Sequence, residues 1–98
     1  MPRTQAPREN ARVKGILSEL NKIPGCRAIK IHTGQYGRVG TPDILCVYYG
    51  QAYFFEVKRP MESAAPIQEY EMMQWRLAGA RAMVVRSSAE AIGALTSA

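Results

Sequence analysis

The chain has 98 residues, 47% of them hydrophobic, enough for one core and too few for two independent ones. Thirteen Lys and Arg against eight Asp and Glu leave a net charge of +5, a balance that attracts polyanions such as nucleic acid and that also fits an ordinary basic surface. No stretch approaches the roughly 20 apolar residues of a membrane span, Met1 to Arg12 is polar rather than signal-like, and Cys26 and Cys46 are too few and too far apart in sequence for a zinc motif. The expectation is a cytoplasmic domain with two reduced structural thiols.

From Pro7 to about Asn21, Val13, Ile16, Leu17 and Leu20 recur at helical spacing, and Pro7 suits a first-turn position. Glu9 lies four residues before Val13 and shares that apolar stripe; it is read either as an acidic group serving a site or as a complement to the helix N-terminal dipole. Pro24 and Gly25 end the helix and lead into a strand from Arg27 to His32. In the loop from Thr33 to Pro42, Gly34, Gly37 and Gly40 are interleaved with Gln35, Tyr36 and Arg38. That composition lets backbone approach a ligand closely and equally suits a plain surface loop.

Asp43 to Tyr49 and Ala52 to Arg59 are rich in Ile, Val, Tyr and Phe and read as a β-hairpin. Both segments are apolar on both faces, which predicts central strands covered by helices on each side. Beyond Pro60, a largely buried helix is expected from Ile67 to about Ala78, closed by Gly79. A short strand follows from Arg81 to Arg86, and Ser87 with Glu90 has the spacing of a capping box that starts a last helix. The predicted order is helix, three strands, helix, strand, helix.

Alternation along a strand puts Glu56 and Lys58 on one face and Tyr53, Phe55 and Val57 on the other. With a two-residue turn, Asp43 falls opposite Glu56 if the turn is Tyr49-Gly50, or opposite Lys58 if it is Gly50-Gln51. Either register gathers the three on one face, with directly paired Cβ atoms about 5 Å apart and diagonal ones about 7 to 8 Å. A three-residue loop without a bulge turns Asp43 away. Two converging carboxylates repel unless a cation neutralises them, and oxygen-only ligation suits Mg²⁺ or Mn²⁺. Metal ions on Asp43 and Glu56, with Lys58 balancing charge, supply what phosphodiester hydrolysis needs. A Glu-x-Lys triplet by itself also fits an exposed ion pair without a chemical role; its place inside an apolar strand, with Asp43 entering the neighbouring one, argues for the site.

Pro42-Asp43, twelve intervening residues and Glu56-Val57-Lys58, in this order of elements, resemble the PD-(D/E)xK nuclease superfamily, and more narrowly its VRR-NUC branch. The resemblance covers nearly the whole chain: Glu9, Gly40-Thr41-Pro42-Asp43-Ile44-Leu45, Phe55-Glu56-Val57-Lys58-Arg59-Pro60, Gln68, Ala78-Gly79-Ala80 and Val84-Val85-Arg86. It implies a single domain over 1–98 with an α/β fold, a mixed sheet flanked by helices in the restriction-endonuclease-like arrangement αβββαβα. It further implies that Asp43 and Glu56 bind the catalytic Mg²⁺ (or Mn²⁺), that the Val57 carbonyl is a further ligand, and that Lys58 assists the attacking water. Glu9 becomes a supporting acidic residue, and Gln68 orients substrate or Lys58, against its plainer reading as a polar residue in a helix's first turn.

Small stand-alone members of the branch imply a homodimer that cuts branched DNA such as four-way junctions, with two sites related by a two-fold axis. An apolar surplus of Tyr48, Tyr53, Met72, Met73 and Trp75 fits either such a dimer or simply a core. No membrane partner and no small-molecule substrate are expected. Arg12, Lys14, Lys30, Arg38 and Arg76 are candidates for phosphate contact, with Arg38, Gly40 and Tyr36 of the glycine loop taken as the DNA-binding set. His32 is read as structural before DNA-contacting. Two other readings compete: a catalytically silent DNA clamp with the same fold, and a sequence-specific restriction-type enzyme, for which the chain has little room for recognition loops.

Overall fold

The computed structural model describes residues 7–32 and 37–97, with side chains from residue 10 onward. Val13, Ile16 and Leu20 form the buried stripe of helix α1, Pro7–Leu20, as their spacing predicts. Strands β1, Cys26–Lys30, β2, Ile44–Tyr48, and β3, Gln51–Val57, follow, then helix α2, Pro66–Leu77, strand β4, Arg81–Val85, and helix α3, Ser88–Thr96. The sheet runs β1-β2-β3-β4, antiparallel except for the β3–β4 pair, which is parallel. A parallel pair needs a crossover, and α2 supplies it.

The predicted order of elements and the helix-flanked mixed sheet are therefore borne out. Alternation along β3 divides the layers. Tyr53, Phe55 and Val57 enter the core beneath α1 and α3 with Ile16, Leu20, Ile44, Leu95 and others. Phe54 faces α2 with Met72 and Ala82, and its ring stacks on Trp75 at a centroid distance of 4.3 Å. Both faces of β3 are thus covered. Those of β2 are not: Val47 is 40% exposed, and Leu45, Val47 and Ile29 line an open groove across β1 and β2. The expectation that both hairpin strands are sealed by helices fails for β2, because α2 packs chiefly over β3 and β4.

Helix ends follow local chemistry. α2 closes with Ala80 N donating to Trp75 O and Gly79 N to Arg76 O, the paired bonds of a Schellman motif. Ser87 caps α3 by accepting from Glu90 N, but Glu90 reaches back to the amide of Arg86 rather than to that of Ser87, so the predicted capping box is displaced by one residue. No helix of the described residues is long and apolar enough to cross a membrane.

Candidate active site

The hairpin turn selects between the two predicted registers. Tyr48 pairs with Gln51, leaving Tyr49 and Gly50 as the loop, at φ 45° and 85°. Positive φ at both positions is the type I′ geometry that matches strand twist, and glycine takes the second position without strain. The pairing Ile44 with Phe55 then sets Asp43 against the Glu56 end of β3.

Asp43 stands just before β2, where the ladder stops. Its backbone amide donates to Phe55 O at 3.1 Å, its carbonyl accepts from Ile31 N at 2.7 Å, and its Oδ2 accepts from Val57 N at 2.8 Å. The carboxylate thus takes over an amide that the next residue of a longer β2 would otherwise have paired. Glu56 faces α2 and is 4% exposed. Its Oε2 accepts from Gln68 Nε2 at 3.0 Å and lies 3.5 Å from Lys58 Nζ. Lys58 is one residue past β3, its amide continuing the parallel pairing through Val85 O, and its side chain is only 12% exposed. An ion pair this sheltered is not the solvated surface pair of the plainer reading.

Gln68 serves two partners. Its Oε1 accepts from Ala65 N at 2.7 Å at the start of α2 while its amide nitrogen holds Glu56. The helix-terminus and site-orienting interactions therefore coexist, the first fixing the rotamer needed for the second. The loop before Asp43 is anchored to the same helix end. Gly40 has φ 88°, and a Cβ there would sit 2.7 Å from Ile67 O. Contact with α2 explains this glycine without any ligand.

The remaining predicted residues are more scattered. Glu9 lies in the first turn of α1, with its side chain outside the described residues; Tyr36 is outside them altogether. Arg38 is exposed and lines a shallow pocket of about 230 Å³ with Tyr70, Glu71, Gln74, Trp75 and Ala78, which extends along α2 away from Gln68. Arg12 donates to Arg86 O and Arg76 to Ala82 O, so both serve the fold. Tyr53 and Met72, counted in the apolar surplus, are core residues, whereas Met73 is 52% exposed.

Glu71 and the role of Arg86 escaped the sequence reading. Glu71 is buried on α2, three residues past Gln68, where its helical spacing to Gln68 and Trp75 was the available signal. Arg86 spans to the carbonyls of Arg59 and Glu62 and so ties down the turn after Lys58. In that turn Glu62 is held below the ordinary carboxylate range by its hydrogen bonds with the Arg59 amide and then the guanidinium.

Asp43 and Glu56 offer only oxygen donors. Among the described residues no three His, Cys, Asp or Glu side chains cluster. One or two carboxylates with positions left for water and phosphate is the donor set that suits Mg²⁺, and it does not suit a structural zinc.

The helix-flanked mixed sheet is a nuclease-type fold by its likeness to a solved structure. A solved structure described as "VRR_NUC domain" aligns with 90% of this chain and 94% of its own, at a TM-score of 0.72 and 28% sequence identity. That likeness bears out the resemblance read from the sequence. No family model and no curated protein matches the chain.

Proposed function

We propose that this chain is a Mg²⁺- or Mn²⁺-dependent endonuclease that hydrolyses DNA phosphodiesters, acting on branched DNA such as four-way junctions as a homodimer. The observation that carries the reading is the gathering of Asp43, Glu56, Lys58 and Gln68 around the end of one hairpin, within the fold of a VRR-NUC domain.

Asp43 and Glu56 would hold the cation, with the Val57 carbonyl as a further ligand and Glu9 as a supporting acid. When bound, the cation supplies charge neutralisation at the phosphate and favours ionisation of the attacking water. Lys58 places a positive charge where negative charge accumulates on the phosphorane oxygens and orients the water by hydrogen bonding. Gln68 fixes the Glu56 carboxylate, so that the acidic pair is preorganised before substrate arrives. Arg38, Gly40 and Tyr36 form the DNA-binding set, and the net charge of +5 draws the polyanion in.

The test is cleavage of four-way junction, flap, splayed-arm, single-stranded and duplex DNA with Mg²⁺ or Mn²⁺, comparing the wild type with Glu56→Gln. Cutting of branched substrates by the wild type alone is expected. DNA left intact under every condition would favour a silent clamp, and cutting of one sequence on linear duplex would favour a restriction-type enzyme.

A further inference from the structure

We propose that Cys26 and Cys46 are a reversible disulfide-forming pair, with Cys26 the thiol that meets the oxidant and Cys46 the thiol that completes the bond. The residues are 20 apart in sequence, but register brings them together. Ala28 pairs with Cys46 and Cys26 with Tyr48, so the two cysteines are diagonal neighbours on one face of the β1–β2 ladder. Their sulfurs are 3.2 Å apart, about 1 Å beyond the length of a disulfide bond. Both thiols are free.

Their surroundings assign the order of events. Cys26 is half-buried on the edge strand, where it lines the open groove across β1 and β2, whereas Cys46 is fully buried in the core beneath α1 and α3. The Cys46 thiol is pushed up to about 12 by burial first, and then by its hydrogen bond to Cys26 and by the charge on that residue. A thiol so reluctant to ionise does not initiate exchange.

The oxidant is a low-molecular-weight disulfide, here oxidised glutathione. The Cys26 thiolate attacks one of its sulfurs, forming a mixed disulfide and expelling one glutathione thiolate. Cys46 then gives its proton to solvent base and attacks the Cys26 sulfur, expelling the second glutathione. The protein loses two hydrogens and the glutathione disulfide gains two. Once Cys26 is in the mixed disulfide, its thiolate charge no longer opposes ionisation of Cys46. Burial still does, so the second step is the slower one and quickens as pH rises.

Nothing here depends on nuclease activity. The full chain is incubated with oxidised glutathione, quenched with acid and weighed intact by mass spectrometry. Wild type should pass through an adduct of one glutathionyl group and end lighter than the starting protein by two hydrogens, as a single chain. Its melting temperature should rise by roughly 5 °C or more and return with dithiothreitol. Cys46→Ala should stop at the adduct, and Cys26→Ser should not react. Wild type that stays unmodified, stops at the adduct or forms a cross-linked dimer while circular dichroism shows it folded would overturn the pairing.

Discussion

Asp43 has one job the fold shows and a second that the proposed function gives it: its carboxylate accepts the Val57 amide, and it would share the cation with Glu56. The two are separable by substitution. Asp43→Asn keeps an oxygen acceptor and should unfold in urea close to wild type while losing most Mn²⁺ binding by calorimetry. Asp43→Ala strips the Val57 amide of its acceptor and should cost a further 1 to 3 kcal/mol, about the penalty for one orphaned backbone group. Gln68→Ala should weaken metal binding by about 10- to 100-fold through loss of its hold on Glu56, with the fold intact by circular dichroism. Glu62 gives the residue-scale pH dependence. Because its hydrogen bonds to Arg59 depress its folded pKa, its contribution is present above the ordinary glutamate range and disappears as pH falls through the depressed value. A melting curve of Glu62→Gln against pH should therefore converge with wild type only in acid.

At the scale of elements, Gly40 joins the loop to α2. Gly40→Ala meets both a left-handed φ and the Ile67 carbonyl, and should destabilise by about 1 to 3 kcal/mol, with faster proteolysis between residues 37 and 43. The elements themselves were legible in the sequence. Helical spacing fixed α1, alternation gave β3 its two faces, and Gly79 marked the end of α2. Two-fold alternation also predicted the shared face of Glu56 and Lys58. Asp43 remained ambiguous because Tyr49-Gly50 and Gly50-Gln51 are both plausible turns; φ values at Tyr49 and Gly50 decide it. The sulfur pair was illegible for a related reason: Cys26 meets Cys46 only once the β1–β2 register is known, and no local pattern sets it. The exposure of Val47 was missed because apolar composition cannot say which strands α2 covers.

For the whole molecule, charge and assembly carry the expectations. Binding of a four-way junction, followed by fluorescence anisotropy, should weaken linearly on a log–log plot against salt, with about 0.9 added to the slope per phosphate contacted. A flat plot would remove the electrostatic reading of the +5 charge. Sedimentation should give twice the mass of one chain, and a monomer at working concentration would leave paired nicking without a basis. The hairpin also sets a distance across the molecule. Five paired residues separate the exposed Tyr49-Gly50 tip from the acidic pair, roughly 17 Å at the rise of a strand. A fluorophore or surface tether grafted at that tip would let single molecules be watched or immobilised while leaving the Asp43 and Glu56 end of the sheet clear.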